Sequence, residues 1–97
     1  MQFLVLAKAR AEAFKNGTPA DFAQVAAQDS AHAQRAYLSG ALRQMWIRDS
    51  GQGPVAIVEA ASAEDARALF ADWPLLKIGY LEIDVFALHP YHGFAGR

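Results

Sequence analysis

The chain contains no cysteine, so disulfide frameworks, thiolate metal sites and a cysteine nucleophile are all excluded. Prolines are few, four in 97 residues, and each stands where an element would begin or end. No apolar run approaches the roughly 20 residues of a membrane helix. The apolar start, Met1 to Ala7, is too short for a signal peptide and lacks a basic flank. A charge excess of either sign is also missing, with 9 basic against 10 acidic residues. Nothing electrostatic therefore points to nucleic acid or to an anionic membrane as a partner. The expectation is a cytoplasmic protein.

What is present is apolar: 54% of the residues are hydrophobic, and much of that is alanine. The length fits one domain spanning 1–97, small enough that covering an apolar face by association would help it. Phe3 to Ala7 reads as a buried strand, and Lys8 to Phe14 as a loop or one loose helical turn. Asn16-Gly17 signals a turn. Thr18 as cap, Pro19 at the first helical position and Asp21 in the first turn predict a long helix, running to about Ser39 and stopped by Gly40. Strands are expected at 42–48 and 55–60, joined by the turn from Asp49 to Pro54. Ser62 predicts the cap of a second helix, whose Ala66, Leu69, Phe70 and Trp73 form an apolar stripe, with Pro74 as its stop. A last strand from Gly79 to Leu88 completes a β-α-β-β-α-β order. The fold class is thus α+β, ferredoxin-like βαββαβ, with no repeat or low-complexity tract.

Period-2 alternation in the last strand separates Leu81, Ile83, Val85 and Ala87 from Tyr80, Glu82, Asp84, Phe86 and Leu88. The first set fits burial beneath two helices. The second, like the Gln44, Trp46 and Arg48 face of the strand at 42–48, belongs to the open side of the sheet. Aromatics on that side predict pairing with a second copy; a partly polar monomeric surface is the alternative. On the long helix, Phe22, Val25, Ala26, Asp29, Ala33, Ala36 and Tyr37 share one face, and His32 lies three residues after Asp29. A carboxylate beside an imidazole, partly withdrawn from water, is a candidate proton-handling pair; the alternative is a half-exposed ion pair. Arg48 is a candidate anion anchor, with Trp46 and Tyr80 as candidate pocket walls. His89 and His92 flank a proline rather than sharing a rigid face, so no metal site is expected. Ser62 reads as a cap rather than a nucleophile, and Gly51-Gln52-Gly53 lacks the strand-to-helix setting of a phosphate loop.

From about Pro19 to His92 the chain resembles the muconolactone delta-isomerase family. The segments that carry the resemblance are Ala27-Gln28-Asp29-Ser30-Ala31-His32, Leu42 to Trp46, Trp73-Pro74-Leu75-Leu76, Tyr80 to Val85, and Leu88-His89-Pro90. Asp29 falls where those isomerases usually place Glu, and His32 where they tend to have an aromatic. Ile47 intervenes in the usual Trp-Arg step. The resemblance implies a dimeric α+β barrel, sometimes assembled further, with a pocket between sheet and first helix for small carboxylated or lactone-like compounds of aromatic catabolism. The run Val58 to Ala66, with Asp72-Trp73-Pro74 and Gly79-Tyr80, is also similar to YCII-related proteins of the same barrel.

The function these resemblances imply is movement of a proton on a small organic acid, lactone or polyketide-like ring. Asp29 or His32 would carry the proton, Arg48 would hold a carboxylate or developing enolate, and Trp46 and Tyr80 would line the site. No cofactor is called for. The alternatives are a non-catalytic small-ligand-binding barrel and a cofactor-independent monooxygenase of the antibiotic-biosynthesis type.

Overall fold

The computed structural model describes residues 1–94. Four strands, β1 (Gln2–Ala9), β2 (Leu42–Ile47), β3 (Pro54–Glu59) and β4 (Leu81–Leu88), form one antiparallel sheet in the order β2-β3-β1-β4. This is the ferredoxin-like α+β arrangement that the element order predicts. Phe3, Val5 and Ala7 of β1 face the helices, and so do Ala56 and Val58 of β3; all five are buried. Strand alternation sends Leu4, Leu6, Val55 and Ile57 to the opposite side, where they are half-buried.

The long helix, α2 (Phe22–Ser39), lies across the inner face together with α3 (Ala63–Phe70). Its end is as expected: Gly40 takes the left-handed conformation, φ 86°, and donates its N–H to the Tyr37 carbonyl at 3.1 Å. Its start is not. Pro19 to Phe22 forms a turn, closed by the Phe22 N–H on the Pro19 carbonyl at 3.0 Å, and helical geometry begins only at Phe22. Asp21 stands at the cap position, yet its carboxylate accepts the Tyr80 hydroxyl at 2.6 Å instead of capping the backbone. Phe14, at the end of the short α1 (Ala11–Phe14), packs edge-on against Phe22 and Tyr80 at ring distances of 5.5 and 6.3 Å. That aromatic cluster, rather than a Thr18 cap, sets where the helix enters.

Ser62 caps α3 as predicted, its Oγ accepting the Asp65 N–H at 3.1 Å. Ala66, Phe70 and Trp73 are all buried, and the Phe70 and Trp73 rings lie 4.7 Å apart. α3 already ends at Phe70 rather than running up to Pro74, and the proline opens a further short helix, α4 (Pro74–Lys77), at its first position, where a missing N–H costs nothing. β4 then begins at Leu81, two residues later than Gly79. β2 carries a bulge between Leu42 and Gln44: Leu42 pairs with Val58, but Gln44 pairs with Ile57. The extra residue, Arg43, keeps Leu42 in the core and still turns Met45 and Ile47 toward the helix side.

Candidate functional site

Between the inner face of the sheet and α2 lies a cavity of about 650 Å³. Small side chains make the room. Val5, Ala7 and Ala56 floor it where larger residues would fill it, and Ala26 and Ala33 do the same on the helix. Phe70, Trp73 and Leu76 close one end, and Phe14, Thr18 and Gln52 lie around another part of the wall. Met45 and Ile47 reach over the β2 side and are 36% and 76% exposed, so the chamber opens to solvent there. A volume of this size is that of a small-molecule site rather than of a packing defect.

Polar side chains in the lining are few: Thr18, Asp29, Ser30 and Gln52. Asp29 is the one ionisable group among the described residues that line the chamber. Its Oδ1 accepts the backbone N–H of Leu75 at 3.2 Å, so α2 is fastened to the first turn of α4 through this carboxyl. Burial pushes the Asp29 carboxyl above its ordinary value of 3.8; the Leu75 N–H and the charge of His32 offset part of that rise. A carboxyl in apolar surroundings, with its proton held more tightly than usual, is suited to accepting and returning a proton.

His32 is placed differently from the pairing its spacing predicts. Its ring sits 6.1 Å from that of Trp73, in a shallow groove on the outer side of α2 shared with Arg35, Ala36, Ser39 and Leu69. No hydrogen bond joins it to Asp29 among the described residues, and it acts on that carboxyl through charge alone. Trp73 therefore has one edge toward the chamber and another toward His32.

Arg48 is not available as an anion anchor. Its Nε donates to the Gly53 carbonyl at 3.1 Å, and its Nη2 donates to the carbonyls of Ala7 and Gln52. The β1–β3 ladder ends at Leu6 and Val55, so the guanidinium takes up the Ala7 carbonyl just beyond it. A Cβ on Gly53 would come within 2.8 Å of that same carbonyl oxygen, and φ at Gly53 is +124°, so glycine alone fits the junction. Trp46 projects from the far side of the sheet, 49% exposed, and is no wall of the chamber. Tyr80 stands behind Phe22, in a stacked contact at 6.3 Å, and holds Asp21 rather than a ligand. The structure thus brings Asp29 alone, of the five candidates, to the cavity surface. Thr18, Ser30 and Gln52 carry no motif that would have singled them out; only Ser30, next to Asp29 on the helix, had a positional signal. Among the described residues no three His, Asp or Glu side chains converge as a metal site would require.

A ferredoxin-like sheet with a helix-roofed apolar chamber and one half-buried carboxyl defines an α+β protein with a chamber of small-molecule size. Comparison with family models narrows this: residues 1–93 match the model for muconolactone delta-isomerase, and the chain belongs to that family. A solved muconolactone isomerase is similar over 93% of this chain and 92% of its own, at 26% identity and a TM-score of 0.69. A 5-chloro-2-hydroxyhydroquinone dehydrochlorinase from Burkholderia phenoliruptrix, solved with 2,5-dihydroxybenzoquinone, shares the fold: 18% identity, TM-score 0.65, covering 96% of this chain and 98% of that one. No curated protein matches by sequence.

Proposed function

We propose that the protein is an isomerase that shifts a proton beside a carbonyl group of a small ring compound, with Asp29 as the proton carrier. One observation carries this: the ionisable group in a chamber of ligand size is a carboxyl whose surroundings raise its proton affinity. In the ionised form it would take a proton from the carbon next to a ring carbonyl, leaving an enolate. It would then return the proton to a carbon further along the conjugated system, so that the double bond migrates and no atom is gained or lost. Thr18, Ser30 and Gln52 are the neutral donors available to orient the ring. Membership in the isomerase family and the 26%-identical muconolactone isomerase support the reaction class.

His32 enters as a charge that tunes Asp29 from outside the chamber, and Arg48 and Tyr80 as the ties that hold the chamber's ends in place. Two copies would pair through the uncovered sheet faces, placing Trp46 at the contact. The compartment we assign is the cytoplasm; among the described residues no helix is long and apolar enough to cross a membrane.

The test is proton exchange and isomerisation of unsaturated five-membered lactones in D2O, followed by NMR. Asp29→Asn keeps an oxygen for the Leu75 N–H and removes the proton carrier, so turnover should fall by about 10²–10⁴-fold. Unchanged turnover would overturn the assignment of Asp29 as the proton carrier and leave its bond to the Leu75 N–H as a structural tie, whereas no turnover by the unaltered protein would favour the ligand-binding alternative.

A further inference from the structure

The side chains that line the chamber set the charge a substrate there can carry. Among the described residues, no lysine, arginine or histidine lines it. The cation nearest to the role, Arg48, has its guanidinium divided among three backbone carbonyls. Lys8 and Arg10 are engaged on the opposite face of the sheet, Lys8 with Glu82 and Asp84 at 3.8 and 3.1 Å and Arg10 with Glu82 at 3.7 Å. His32 and Arg35 line the separate groove outside α2. A carboxylate ligand would therefore give up its water among apolar walls, find no countercharge among the described residues, and meet Asp29, a charge of its own sign. A neutral ring compound loses far less on entry and still finds the hydroxyls of Thr18 and Ser30 and the amide of Gln52.

We infer that the substrate is an uncharged ring, a neutral lactone, enone or quinone-like compound without a carboxylate, and that the chamber's charge pattern rejects anionic analogues. This inference rests on the chamber being the site of turnover, and it is narrower than the resemblance to isomerases of carboxylated lactones.

A matched pair of probes tests it: 1-naphthaleneacetamide and 1-naphthaleneacetate, titrated into the full chain at pH 8 with binding read by calorimetry. The amide should bind at least about tenfold more tightly than the acid. Asp29→Asn should shrink that ratio by improving the acid alone, because the repelling charge is gone. Ala26→Phe and Ala33→Phe, each checked for native circular dichroism, should abolish binding of the amide by filling the chamber. Equal or tighter binding of the acid to the unaltered protein would overturn the inference while leaving an Asp29-dependent proton transfer intact. Amide binding that survives both phenylalanine variants would instead show that the chamber is not the site, and both readings would fall together.

Discussion

Asp29 concentrates the competing terms that act at single residues. It is a helix residue on an inward stripe, a partner for the Leu75 N–H, and the lone ionisable group among the described residues that line an apolar chamber. Burial outweighs the hydrogen bond, so the folded protein binds this proton more tightly than the unfolded chain does. The linkage follows from that sign: the contribution of Asp29 to stability is most favourable below its ordinary pKa of 3.8 and declines as pH rises through the raised native value. Urea denaturation at a series of pH values should show the stability of the wild type relative to Asp29→Asn falling over that window and level above it. A difference that grows with pH would mean that the Leu75 hydrogen bond dominates instead. Arg48 shows the opposite limit of sequence reading. An arginine on a strand facing a partner sheet reads as an anion site, and only the three-dimensional position of the Ala7 carbonyl, 41 residues away, reveals what occupies it.

At the scale of elements, local signals succeed where one residue decides the outcome and fail where two distant segments do. Gly40 and Ser62 are of the first kind: a left-handed stop and an extended cap act within a few bonds of themselves. Ser62→Ala removes the acceptor for the Asp65 N–H and should cost about 1 kcal/mol, seen as a fall of about 4–8 °C in thermal midpoint, while the chamber's ligand selectivity stays the same. The start of α2 is of the second kind. Thr18-Pro19 carries every sign of a helix opening, yet the packing of Phe22 against Phe14 and Tyr80 and the diversion of Asp21 to the Tyr80 hydroxyl move the first turn along. Pro74 reads as the stop of α3, yet that helix ends at Phe70 and the proline instead opens α4, where its fixed φ and missing N–H suit the first position.

Taken whole, the molecule is a two-layer structure whose inner layer is only partly filled. Strand order, the covered face and the uncovered face follow from the element sequence and period-2 alternation, except that Tyr80, placed by alternation on the uncovered face, precedes β4 and packs on the helix side against Phe22 and Phe14. The chamber was legible only through the family resemblance, because its volume arises from alanines and glycines on several elements whose smallness signals nothing one at a time. The uncovered face carries Leu4, Leu6, Val55 and Ile57 at its centre, with Trp46 and Phe86 each 49% exposed beside them. Sedimentation at micromolar concentration should give a dimer that Trp46→Glu with Phe86→Glu converts to monomer with unchanged far-ultraviolet circular dichroism. A monomer without those substitutions would overturn pairing through this face.

The bulge at Arg43 gives β2 a division of labour. One residue out of step lets the strand's beginning answer to the packed interior, through Leu42, while its later part answers to whatever enters from solvent, through Met45 and Ile47. Changes at those two outer positions can reshape the entrance without disturbing the foundations beneath, so the same scaffold is able to exchange one guest for another by altering a rim only a few residues long.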